Sequence, residues 1–268
     1  MSDLRTDIIV NVRLPDYKDQ LVAQVGRHVA DLTHALRALQ DGSFVEQAKG
    51  KGPGSLFHVE YPDLDVTTGA EQRHVQNCFR AVIAAFIAFL DQMIAMGRLA
   101  AAGIPIDRTL SEAEVLPYVR QYVEKVITTV ASDRSLTNPK KIAAFSGLSE
   151  WAKEATAGLF ALRRCYEHHG GVAESDFVVR YRALRLLAGK GEITALPFVA
   201  EENTGISIGL IDKEIVVKAG ERPELTEQQL RDIVNTIELP LATEILLSVE
   251  KRLASKGVAE VESRPTAP

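Results

Sequence analysis

Apolar residues recur along this chain at two different periods, and the period decides the element. From Tyr17 to Leu39, the positions Leu21, Val22, Val25, Val29, Leu32, Leu36 and Leu39 fall at three- and four-residue steps, which predicts an amphipathic helix closed by Asp41-Gly42. A second helix is expected over 70–102, and its run AVIAAFIAFL from Ala81 to Leu90 has almost no polar face. Such a helix lies in the centre of a core or in a subunit interface. Gly103 and Pro105 end it. Ser111 followed by Glu114 has capping-box spacing and opens a helix to about Ala131. Short and longer helices are expected at 139–146 and 148–168. In the longer one Leu148, Trp151, Ala155, Leu159, Leu162 and Tyr166 form one stripe, and Gly170-Gly171 stops it. A helix at 174–188 follows.

Over 192–219 the period changes. The segment ISIGLIDKEIVVK has β-branched residues on both sides of Asp212-Lys213 and reads as a small β-hairpin over about 204–218. Thr226 followed by Gln229 opens a last helix to about Leu253, interrupted at Leu239-Pro240. Near the N-terminus, 7–13 reads as a short strand or extended arm. The Gly- and Pro-rich stretch 42–69 reads as a loop with a brief strand at 56–61. The domain reading is thus an unassigned segment 1–69, a helical domain 70–254 and a disordered tail 255–268. The fold class is mainly α, a helical bundle with a small β-hairpin before the last helix.

Composition narrows the class without naming a job. The 268 residues are 46% hydrophobic and 25% charged, which excludes wholesale disorder, and 31 cations against 36 anions leave a net charge of −5. That balance argues against a protein coated in positive charge, although a local nucleic-acid site depends on where the cations sit. Cys78 and Cys165 form no CxxC pair, which fits a reducing compartment and no zinc framework. The N-terminus lacks signal-peptide order, and the ten-residue apolar run is too short to span a bilayer. The expectation is a cytoplasmic protein without a membrane partner.

Phosphate-loop, dinucleotide, zinc-protease and nucleophile-elbow signatures are all missing. Of the six histidines only His168 and His169 are adjacent, about 100° apart on a helix, so no metal or other cofactor is expected. The chemistry concentrates in Leu162-Arg163-Arg164-Cys165-Tyr166-Glu167-His168-His169-Gly170-Gly171. Arginine presents a planar fork suited to phosphate, and histidine moves protons near neutral pH. Together they can hold a phosphodiester and help a 2′-hydroxyl attack it. Cys165, among cations, has surroundings that could lower a thiol pKa, yet a cysteine nucleophile is not the expected reading. From 160 to 190 six cations (Arg163, Arg164, Arg180, Arg182, Arg185 and Lys190) face three carboxylates, a patch that could follow an RNA backbone. The same charges near a helix C-terminus also suit the macrodipole without any catalysis. Trp151 reads as core, or as a surface on which a base stacks. Asp91, interrupting the apolar helix, reads as a buried helper or an interface contact.

This stretch resembles the signature of the HEPN superfamily (higher eukaryote and prokaryote nucleotide-binding domains), in which Arg is followed by four to six residues and then His. Bacterial members often read like L-R-N-x-x-x-H-x-G-G. Here Arg163 and His168 fit, followed by x-Gly-Gly, and Arg164 replaces the familiar Asn. Arg164 with His169 also satisfies the spacing, and Arg27 with His34 matches it elsewhere. The resemblance covers roughly 70–250 and implies a metal-independent endoribonuclease, with Arg163 and His168 catalytic and Arg164 and His169 supporting. It also implies a homodimer with both motifs in one cleft, RNA as partner, and a toxin or phage-defence role with an antitoxin or regulatory protein as further partner. The alternative is a non-catalytic dimeric module of the same type that binds RNA or protein. In an unbroken helix, residues five apart point about 140° apart. Arg163 and His168 therefore meet only if the helix loosens or two subunits share the site.

Overall fold

A computed structural model describes residues 13–40, 66–105, 111–168, 171–188, 191–192 and 206–262. The chain runs α1 (Leu14–Gln40), α2 (Val66–Ala102), α3 (Glu112–Ser132), α4 (Asn138–Ala143), α5 (Glu150–His168), β1 (Phe177–Ala188), β2 (Gly191–Glu192), β3 (Ile206–Val217), α6 (Glu227–Thr236), a π-helical turn (Ile237–Leu241) and α7 (Ala242–Glu262). It is mainly helical with one small antiparallel sheet, in the order β2-β1-β3. The expected strands at 7–13 and 56–61 fall outside the described residues.

The core is built on α2, which packs against α1, α3, α4, α5, α6 and α7. Phe79, Ile83, Phe86, Leu90 and Met93 recur at four- and three-residue steps and are all fully buried. Each such side chain contributes about 1.5–3 kcal/mol of burial. Between Ala81 and Leu90 only Ala84 and Ala88 are exposed, so the apolar run is spent inside the chain. By length and composition Gly69–Ala102 could cross a membrane, but 67% of its apolar window is buried by the rest of the fold.

Local signals for helix ends hold. Glu114 accepts hydrogen bonds from the Ser111 N–H (2.9 Å) and hydroxyl (2.6 Å), which keep its carboxyl below the usual range. Thr226 accepts from the Gln229 N–H at 3.1 Å while Gln229 accepts from the Thr226 N–H at 2.9 Å. At Pro240 the missing N–H is accommodated by the π-helical turn, after which α7 continues to Glu262, past the expected end at Leu253.

Two expectations are corrected. The segment expected as a helix at 174–188 is a strand, and the expected hairpin turn at Asp212-Lys213 lies in the middle of β3. β1 and β3 pair over twelve residues, with Arg182 opposite Asp212 and Tyr181 opposite Lys213. The physical reason is period two: Val179, Tyr181 and Ala183 are buried on one face, while Leu184 and Leu186 on the other are exposed. Arg182 turns its backbone N–H away from β3 to the Thr236 hydroxyl of α6, at 2.7 Å. That same hydroxyl lies 3.1 Å from the Arg182 carbonyl and 3.0 Å from the Asp232 carbonyl. On the same side α5 comes so close that a Cβ at Gly158 would sit 2.2 Å from the Val178 carbonyl oxygen.

Candidate functional site

Helix α5 carries the candidate motif at its C-terminal end, and four contacts fix that end in place. Its inner stripe, Ala155, Leu159, Leu162 and Tyr166, is buried. Tyr166 meets Phe79 of α2 edge to face at 5.6 Å and donates its hydroxyl to the Pro223 carbonyl at 3.0 Å. Arg80 of α2 donates from Nη2 to the Tyr166 carbonyl, one of the acceptors that the helix end leaves without an internal partner. Beyond the helix, Gly171 takes the left-handed conformation at φ 83° and returns its N–H to the Cys165 carbonyl at 3.2 Å. The outer face of this anchored turn presents Arg163, Arg164, Glu167 and His168.

These four side chains line one open groove of about 1310 Å³. Its other wall is α4 and the turn after it, with Asn138, Pro139, Ile142, Phe145 and Ser146, and Ile87 of α2 reaches its floor. Arg163 donates from Nε to Glu167 Oε1 at 2.7 Å, a bond along the side of the guanidinium that does not use the terminal pair of nitrogens. The other Glu167 oxygen is 3.9 Å from His168 Nε2. One carboxylate therefore sits between the arginine and the histidine. Lys153 adds a cation to the rim and is paired with Glu150 at 2.6 Å.

Helix α5 does not loosen between Arg163 and His168; both face the groove because it wraps around the helix end. His169, Gly170 and Lys190 lie outside the described residues. Arg180, Arg182 and Arg185 stand on β1 and each has a carboxylate partner. Arg180 pairs with Glu154, Arg182 with Asp212 at 2.9 Å, and Arg185 holds Asp232 through two bonds of 2.7 and 2.6 Å. The local excess of positive charge is thus largely matched by carboxylates from elsewhere in the chain. Trp151 is half-buried, with the Arg182 guanidinium 3.8 Å from its ring centroid.

For Cys165 burial outweighs the neighbouring cations. The residue is buried, and burial raises its thiol pKa, the opposite of what an activated nucleophile needs. Burial likewise pushes the Cys78 thiol up to about 11. Asp91 proves to be a buried partner: it meets Lys141 Nζ of α4 at 2.5 Å, with only 6% and 7% of the two side chains exposed. That ion pair ties α4, and hence the far wall of the groove, to α2. Sequence reasoning did not find Lys141 or the α4 wall. Asp91 was the available clue, since a carboxylate inside an apolar helix requires a cation near it.

No protein-family model, curated protein or solved structure matches the chain. The functional reading therefore stands on the groove and its side chains. Among the described residues no group of three or more His, Cys, Asp and Glu gathers as metal ligands do.

Proposed function

We propose that the protein is a HEPN-type endoribonuclease that cleaves RNA without a metal, using the end of α5 as its site. The observation that carries this reading is the presence of Arg163, Arg164, Glu167 and His168 on one open groove, on a helix end anchored by Arg80, Tyr166 and Gly171. The terminal nitrogens of Arg163 bind the phosphate, and Arg164 adds charge against the negative charge that develops at phosphorus. The 2′-oxygen bonds to phosphorus as the bond to the 5′-oxygen breaks, leaving a 2′,3′-cyclic phosphate and a 5′-hydroxyl. One proton leaves the 2′-hydroxyl and one reaches the 5′-oxygen, and His168 carries one of these transfers.

A second copy of the chain supplies the other histidine in this reading. Glu154, Ala157, Arg164 and His168 are exposed and Ala161 half-exposed, all on one face of α5 at three- and four-residue steps. The short side chains in the middle let a second α5 approach closely. Toxin or phage-defence activity under a regulatory partner is the role consistent with such an enzyme.

The test is RNA cleavage by purified protein in EDTA, with His168→Ala alongside at matched folding. Cleavage by the wild type to 2′,3′-cyclic ends and its loss in the variant support the reading. Loss of wild-type cleavage in EDTA, or equal cleavage by both proteins, overturns it. The engagement of Arg163 by Glu167 favours one alternative, a module that binds RNA in the groove without cutting. Retained RNA affinity with no cleavage selects it.

A further inference from the structure

Phe145 and Ser146, in the turn after α4, line the groove and also a second, smaller cavity between α2 and α7. Its volume is about 160 Å³, below the roughly 300–1,000 Å³ of a small-molecule pocket. At about 30 Å³ per water, it has room for one compact group and not for a nucleotide. Two guanidinium groups line it, Arg98 from α2 and Arg252 from α7, and among the described residues no carboxylate does. Arg252 Nη1 lies 3.7 Å from the place of a Cβ on Gly97, so its guanidinium rests on α2 one residue from Arg98. Asp133 stands 3.9 Å from Arg98 Nη2, at the outer limit of an ion pair. The Ser248 hydroxyl donates to the Ser146 carbonyl at 2.7 Å, engaging an acceptor that would otherwise repel an anion there.

We infer that Arg98 and Arg252 form an anion site that takes one phosphate dianion, either free phosphate or the end group of a small phosphomonoester. Two like charges brought to one small cavity repel, and a divalent anion between them turns that repulsion into attraction. Each guanidinium offers a planar fork of donors that matches phosphate oxygens two at a time. A phosphate group carries about −1.5 to −2 near neutral pH and balances both arginines, whereas a carboxylate would balance one. Met93, Ile94 and Val249 are buried and only shape the cavity, so the cations carry the binding. The site is separate from Arg163 and His168 and does not rest on the cleavage reading.

The test is isothermal titration of inorganic phosphate, at fixed ionic strength, into the full chain carrying Arg163→Gln and Arg164→Gln, which removes the groove's guanidinium groups. The expected result is saturable binding of one phosphate per chain, weakened at least tenfold by Arg98→Gln and by Arg252→Gln, both exposed side chains. Ala144 is exposed on the cavity wall, so Ala144→Glu sets an internal anion there and should abolish binding, while Ala144→Gln, of the same size, should keep it. This second pair reads the site even if an arginine variant fails to fold. Glycerol 3-phosphate distinguishes the source: tighter binding than phosphate assigns an ester, and equal or weaker binding assigns the free ion. No saturable binding at millimolar phosphate overturns the inference, as does binding that survives Ala144→Glu. Arginine variants that lower Tm and leave phosphate affinity unchanged also overturn it, because the two side chains then only brace α2 against α7.

Discussion

Asp91→Asn would strip Lys141 of its charge partner while leaving the ammonium where it is. The two side chains are 6% and 7% exposed and 2.5 Å apart, so no nearby solvent takes over the role of the carboxylate. Removing one member of such a pair costs about 3–5 kcal/mol, chiefly because a buried charge is left uncompensated. At roughly 2–4 °C per kcal/mol for a chain of this size, Tm should fall by about 6–20 °C. Replacing both residues with apolar ones, Asp91→Leu with Lys141→Met, removes both desolvation penalties. It should be near neutral or stabilise by about 1–4 kcal/mol. Urea denaturation read by far-UV circular dichroism measures both, with an unchanged m-value showing that the same surface is exposed on unfolding. Because Lys141 adjoins Pro139 and Ile142 on the groove wall, the single variant should also lose RNA affinity at temperatures where the rest of the fold persists. A cost under about 1 kcal/mol for Asp91→Asn, or a double variant as unstable as the single, would refute the reasoning.

Gly158→Ala should destabilise by about 1–3 kcal/mol in the same assay, since its Cβ would lie 2.2 Å from a backbone oxygen that only a shift of β1 can relieve. Ala157→Ser, one residue away and exposed, should change nothing measurable. Glu167→Ala removes the anion beside Arg163, so phosphate affinity should rise by up to about fivefold at low salt and the gain should vanish at high salt. If Glu167 also orients the guanidinium, kcat falls while KM improves; no change in either would show that the 2.7 Å bond has no functional role. Lys218 first, and then the Ala219 N–H, hold the Asp176 carboxyl below its usual range. A depressed folded pKa means the contribution to stability is present above the unfolded pKa and is lost as pH falls through the folded one. The stability gap between wild type and Asp176→Asn should therefore be full near neutrality and close below about pH 4; a gap that widens on acidification contradicts the assignment.

Helices whose signals are local were legible from the residues alone. The stripe ending in Tyr166, the Ser111–Glu114 and Thr226–Gln229 boxes and the break at Pro240 all depend on neighbours within four residues. The strand β1 was not, because FVVRYRALRLLA contains enough Arg, Leu and Ala to suit a helix. What makes it a strand is β3, some thirty residues away. That pairing also explains why Asp212-Lys213 reads as a turn locally yet sits mid-strand. The candidate site was half legible. Arg163 and His168 stand out by chemistry, whereas the opposite wall comes from α4 through an ion pair between Asp91 and Lys141 that no spacing rule connects.

The Thr236 hydroxyl at the edge of β1 bears on how the chain avoids mispairing. Alternation forbids a one-residue slip, which would turn Val179, Tyr181 and Ala183 to solvent, but it tolerates a slip of two. A two-residue slip of β1 would carry Arg182 away from Thr236 and Trp151 and Arg185 away from Asp232, all three partners lying on helices. The hydroxyl thus acts as a ruler. It lets the helices select one of several registers that the two strands, left to themselves, would find nearly equivalent.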